Sequence, residues 1–230
     1  EHIRQLVRVV KYLNATSDLG IIYRRKDLCH DDRIASAYQS GIHPLDPDKV
    51  QPLRCYTDAD FMGLGGHSRK SRSGWAIMFA GSPVVYQSKL QTLTSQSIAE
   101  AECISACEAT KSIIHVKLLL KELGFVGQYS EPVVVHEDNS SVVAFSENLK
   151  SRKTTRHFEM RVHYLQEMVQ DNEVTFRQTK TVDQLADLMT KALARDQHRS
   201  LTEQLLGYRK HTALEKECSA VQQGGGQTSL

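Results

Sequence analysis

Four acids in this chain have surroundings that ask for an explanation: Asp58, Glu102, Asp138 and Asp187. Asp58 lies in "CYTDADF", which otherwise reads as a buried strand with Tyr56, Asp58 and Asp60 on one face and Cys55, Thr57 and Ala59 on the other. Ionised carboxylates are rarely buried without a partner. Asp58 is therefore either a solvated strand-end acid or one that faces a cation. Glu102 is placed more tellingly. At about 100° per residue, Ile98, Ala106, Ala109, Ile113, Val116 and Leu120 fall within about 40° of it on an apolar helix stripe, and Glu100 points almost the other way. A carboxylate on that stripe needs a cation, a hydrogen-bond network or a metal, unless it sits at the stripe's exposed end. Asp138 follows the run "VVV" and precedes a helix, where ligands collect in such sheets and where an N-cap also belongs. Asp187 shares a polar helix face with Asp183, Thr190 and Lys191, and read locally it is a solvated acid.

Brought together, these acids could not all stay ionised without countercharge. Mg²⁺ takes oxygen ligands and keeps waters that a substrate phosphate can replace, and Mn²⁺ accepts the same donors. Two such ions about 4 Å apart would activate a water and stabilise a leaving oxygen in phosphodiester hydrolysis.

The elements that would position the acids can be read from periodicity. Residues 2–13 repeat apolar groups at helical spacing, and "LGIIY" (19–23) reads as a short strand. A polar, proline-bearing stretch over 26–52 reads as a linker. Strands are expected at 53–60, 74–80 and 83–88, the last two joined through "AGSP". A long helix over 95–123 ends at Gly124, followed by a buried strand at 132–138. Helices at 139–148 and 157–170 and a strand at 173–178 come next. A Thr181–Gln184 capping box predicts a helix through Leu193, and a last helix covers 196–206. The order βββ-α-β-α-α-β-α predicts an α/β fold with a mixed five-stranded sheet flanked by helices. The low-complexity tail 214–230 is expected to be disordered.

Composition narrows the setting. Of 230 residues, 29 are Lys or Arg and 27 are acids, so net charge favours no partner and local clustering has to decide. Basic residues gather at Arg69, Lys70 and Arg72 and over 150–163, either as solvated faces or as phosphate contacts. The five cysteines include no C-x-x-C pair, which suits a reducing compartment and excludes a zinc ribbon. Cys103 and Cys107 read as packing. No run reaches the roughly 18–20 apolar residues of a membrane span. The chain has no signal-peptide core and no initiator Met, as expected of a piece of a longer protein.

"YTDAD", "SRKSRSGW", "SIAEAEC", "HEDNSS", "SRKTTRHFEMRVHYLQEMV" and "DQLADLMTKAL" occur in an order and spacing that resembles the ribonuclease H (RNase H) region of copia/Ty1-type retrotransposon Pol polyproteins. "HIRQLVRVVKYLNATSDLGIIY" is similar to the segment that ends the preceding reverse transcriptase region, so the resemblance covers about residues 2–206. It implies an RNase H-like fold that cuts the RNA strand of RNA–DNA hybrids with two Mg²⁺ or Mn²⁺ ions, leaving 3′-hydroxyl and 5′-phosphate ends. It assigns catalysis and metal binding to Asp58, Glu102, Asp138 and Asp187, with Asp58 and Asp138 holding both metals and Glu102 and Asp187 each completing one. For Asp187 this overrules the local reading.

Nucleic-acid contacts are expected at Arg69, Lys70, Ser97, Asn139, Lys153, Arg156 and His157. The implied layout is a reverse transcriptase remnant at 1–25, an RNase H-like domain at 53–194 and a helix at 195–213. The partner is the reverse transcriptase region, with no membrane. The setting is a cytoplasmic retroelement particle, or the nucleus. The chain departs from the family pattern at Ser97–Ala99, at Ser140 and at Leu64, positions that could read sugars or base edges. The loop "RQTKT" also lacks the histidine of cellular enzymes. The rival readings are a catalytically inactive module of a degenerate element and an integrase-type nuclease using Glu173, which lies 35 residues after Asp138.

Overall fold

A computed structural model describes residues 2–23, 53–62, 69–125, 132–147 and 158–207. The expected linker, the tail, and Lys153, Arg156 and His157 lie outside the described residues. Five strands form one sheet: β1 (Leu53–Asp60), β2 (Arg72–Phe79), β3 (Ser82–Leu90), β4 (Val133–Glu137) and β5 (Val174–Gln178), in the order β3-β2-β1-β4-β5. β1, β2 and β3 pair antiparallel, while β4 and β5 run parallel to β1. The helices are α1 (His2–Ala15), α2 (Ile98–Glu122), α3 (Ser140–Glu147), α4 (Glu159–Gln170), α5 (Asp187–Thr190) and α6 (Arg195–Leu205). This is the mixed five-stranded sheet flanked by helices that the element order predicts.

Side-chain alternation divides the sheet between two cores. Cys55, Trp75, Ile77, Val133, Val135 and Phe176 pack on α2 and its neighbours. Tyr56, Ala76 and Met78 pack against Leu185, Ala186, Leu201 and Leu205 on the other face. Local chemistry sets the corners. Ala80 and Gly81 both take positive φ in the two-residue β2–β3 turn, whose twist matches that of the strands. Gly124, at φ +80°, ends α2 in a Schellman motif, with Phe125 N–H donating to Leu120 O and Gly124 N–H to Lys121 O.

Two expected elements take other forms. Residues 19–23 are not a strand. Ile22 N–H donates to Leu206 O, just past the end of α6, and Ile22 O accepts the Ser82 hydroxyl, so no strand edge is there to pair with. The helix expected from Thr181 to Leu193 is a 3₁₀ turn at Thr181–Asp183 followed by the four-residue α5. Gln184 cannot close a capping box, because its buried amide donates to Thr57 O at 3.0 Å and its Oε1 accepts Ala186 N–H. Tertiary bonds to β1 override the local motif. α1 forms as expected, with Ile3, Leu6, Val7, Val10 and Leu13 exposed, and its Tyr12 ring meets His198 of α6 edge-on.

Candidate metal centre

The C-terminal ends of the interior strands β1 and β4 and the start of α2 meet at one end of the sheet, and the acids gather there. Asp58, on the Tyr56 face of β1, is 0% exposed. It accepts hydrogen bonds from Thr190 Oγ1 on Oδ2 and from Lys191 Nζ on Oδ1, the latter at 2.8 Å. The same ammonium donates to Asp187 Oδ1 at 2.8 Å, and Asp187 is 1% exposed. Asp187 is therefore a buried, ion-paired acid, which corrects the local reading of it as solvated. A single lysine serves two buried aspartates on this side.

On the opposite face, Glu102 is 4% exposed at the first turns of α2, and Glu137, the last residue of β4, is 0% exposed. Ser105 fixes the helix to the sheet by donating to Asp58 O at 2.8 Å and accepting from Thr57 Oγ1 at 3.0 Å. The apolar stripe holds at Ala106, Ala109, Ile113, Val116 and Leu120, but Ile98 is 56% exposed because the helix has only just begun there. Glu100 is buried as well, in a capping box of a different kind. Its N–H donates to Ser97 Oγ and its Oε2 accepts Gln96 N–H.

Asp138 sits just past β4, half-buried, and joins the two sides. Carboxylate oxygens of Asp58, Asp138 and Asp187 lie within 4.8 Å of one another, and so do those of Glu102, Glu137 and Asp138. Two unit charges at that separation repel by about 3–4 kcal/mol at an effective dielectric of about 20.

The titration behaviour follows from this crowding. Burial first, and then the charges of Glu137, Asp58 and Asp138, push the Glu102 carboxyl up to about 11. Burial raises Glu137 well above the usual range, partly opposed by the Asn139 N–H. Asp138 is raised by burial and by Asp58, and Asp187 by burial against the pull of Lys191. Burial works against the Lys191 ammonium, but Asp58 and Asp187 outweigh it and hold its pKa above the usual lysine range. Five carboxylates with one ammonium, all oxygen donors and largely dry, form a set that fits a hard divalent cation.

The other expected contacts divide by position. Arg69 and Lys70 precede β2, whose first residue Arg72 pairs with Asp60, so they stand at the acid end of the sheet. Ser97 caps α2, and Asn139 Oδ1 accepts Ser141 N–H at the start of α3. Both come to the same end with their oxygens occupied in capping. Glu173 does not come. It precedes β5 beside Val133, about 16 Å of strand from the acid end, and pairs with Lys117. That removes the residue on which the integrase reading depended.

Known proteins of similar sequence carry the family assignment. The retrovirus-related Pol polyprotein from transposon TNT 1-94 of Nicotiana tabacum is 36% identical over 155 residues, covering 67% of this chain. That from transposon RE2 of Arabidopsis thaliana is 27% identical over 195 residues, covering 85%. The chain belongs with the copia-type retrotransposon Pol polyproteins. It spans 11% and 12% of the length of these two relatives. No family model matches this Pol segment. Solved structures similar to it include LC11-RNase H1, isolated from compost, at TM-score 0.45 and 14% identity over 61% of this chain and 93% of that one. Another is a foamy viral protease–reverse transcriptase in complex with RNA/DNA hybrid, at TM-score 0.45 and 14% identity over 69% and 21%.

Sequence reasoning had no role for several residues that shape the site of this Pol segment. Glu137 sits in the quoted "HEDNSS", and its place at the strand end, on the α2 face, was a usable signal. Lys191 was visible only as a polar neighbour of Asp187. Gly74, inside a strand and opposite Asp58, marks a close approach of another backbone. A Cβ there would lie 2.6 Å from Met189 Cβ and Thr190 Cγ2.

Proposed function

We propose that this Pol segment is a metal-dependent endoribonuclease that cuts the RNA strand of RNA–DNA hybrids during reverse transcription. The observation that carries the reading is that carboxylate oxygens of Asp58, Asp138 and Asp187 lie within 4.8 Å of one another, and that Glu102 joins the same Asp138 in a second group of that size. Asp58, Asp138 and Asp187 would hold one divalent ion, and Glu102 with Asp138 a second, with Mg²⁺ or Mn²⁺ suited to the donors. Such ions supply the Lewis-acid charge that makes water a nucleophile and steadies the leaving 3′ oxygen.

The chain's own residues supply placement. Ser105 and Thr190 hold the Asp58 backbone and carboxylate, Gln184 ties the segment leading to Asp187 onto β1, and Lys191 keeps Asp58 and Asp187 together. Arg69 and Lys70 would track phosphates beside the acids, and Ser97 and Asn139 would meet the sugar edge of the hybrid. The exposed apolar face of α1 suits cover by the reverse transcriptase region of the same polyprotein.

The test is cleavage of an end-labelled RNA–DNA hybrid with Mg²⁺ or Mn²⁺, beside Asp138→Asn and a double-stranded DNA substrate. RNA-strand cutting that disappears in Asp138→Asn is expected. A folded protein that binds the hybrid and never cuts it would make the module structural, and equal cutting of the DNA duplex would refute the hybrid-specific reading.

A further inference from the structure

Glu137 has no part in the reading above, yet it is a fully buried acid. It shares the α2 face with Val133 and Val135, where an apolar residue would continue the pattern of β4. Its Oε1 accepts Asn139 N–H at 3.1 Å. Its Oε2 is buried without a hydrogen-bond partner, and so is Oε2 of Glu102. Both residues are more than nine-tenths buried, and their carboxylates lie with that of Asp138 inside 4.8 Å. The hydrogen bonds of Lys191, the cation of the outer cluster, go to Asp58 and Asp187. A buried polar atom is ordinarily satisfied, and two buried carboxylates that each leave one oxygen unsatisfied, clustered with a third acid, call for a positive ligand rather than for packing.

We propose that Glu137 is a fifth carboxylate ligand of the metal centre. With Glu102 and Asp138 it makes an inner site for one divalent, oxygen-preferring cation, distinct from the outer Asp58–Asp138–Asp187 site. The proposal rests on the metal-dependent reading above. A purely structural Glu137 predicts something different. Glutamine there keeps the bond to Asn139 N–H through its carbonyl oxygen, and cation binding is then unaffected.

Mn²⁺ binding to the full chain, followed by electron paramagnetic resonance and calorimetry without nucleic acid, separates these cases. The wild type is expected to bind two Mn²⁺. Glu137→Gln should retain its fold by circular dichroism and weaken one of the two ions at least tenfold, and Asp187→Asn should weaken the other. If Glu137→Gln binds both ions with wild-type affinity, Glu137 is not a ligand and the inference falls, while the metal-dependent reading stands. A wild type that binds no Mn²⁺ removes the reading beneath it instead. Should Glu137→Gln fail the fold control, Glu137→Asp, which keeps the charge and retracts the oxygens by one bond, takes its place. A weakened inner ion then supports the inference, and unchanged binding overturns it.

Discussion

Gly74→Ala tests whether the geometry of the metal centre depends on a missing side chain. Gly74 pairs with Asp58 across β1 and β2, and α5 crosses directly over it. An added Cβ would lie 2.6 Å from Met189 Cβ and Thr190 Cγ2, whereas ordinary contact begins at 3.4 Å, a deficit of about 0.8 Å (3.4 − 2.6). A Cβ cannot rotate aside, so the four-residue α5 must lift. It carries Asp187 at its start and is followed by Lys191, so both move relative to Asp58. Overpacking of this kind costs about 1–3 kcal/mol, or roughly 2–12 °C in Tm for a chain of this size. Displacing a carboxylate proposed to hold metal by close to 1 Å should lower hybrid cleavage by about 10²-fold. Thermal denaturation and initial rates at saturating Mg²⁺ measure the two effects. Gly20→Ala, whose Cβ meets nothing within 4 Å, is the control and should match the wild type. A Gly74→Ala protein with wild-type rate, whether or not it is less stable, would refute the claim that this glycine sets the site.

Two further perturbations follow from the charges. Lys191→Met removes the ammonium shared by the buried Asp58 and Asp187. Because Lys191 is one-third exposed, the loss should fall below that of a fully buried pair, at about 1–3 kcal/mol in metal-free protein. Saturating Mg²⁺ should restore most of it, as measured by melting with EDTA and with Mg²⁺, and an equal deficit in both conditions would contradict a cation-substituting role. The pH response of metal-free protein has a definite sign. Glu102 is raised from 4.5 to about 11, so across that window the folded chain binds more protons than the unfolded one and stability falls as pH rises. Tm should decline from about pH 6 to about pH 9, and Glu102→Gln should flatten the slope. A wild-type Tm that is level or rising would overturn the assignment.

The sheet, the long helix and the end of the sheet to which the acids belong were legible in the sequence, because they follow from local rules. The run "VVV", the apolar stripe of α2 and the stop at Gly124 depend on side-chain period and backbone freedom, which neighbours in sequence carry with them. Glu102 stands out by the same kind of local rule, as a charge on an apolar stripe. Asp187 shows where that reach ends. Its neighbours in sequence are polar, and its burial comes from β1 and β2, more than a hundred residues away. The Thr181–Gln184 motif failed for the same reason, since Gln184 bonds to Thr57 rather than to its own helix.

The sequence by itself determined the element order, the mixed sheet and, through its ordered motifs, the family. Only the tertiary structure decided which acids share a volume, that Lys191 bridges two of them, that Glu137 joins them and that Glu173 does not. Secondary structure is governed by contacts a few residues apart, and the charge balance of a buried site by groups that chain folding alone brings together.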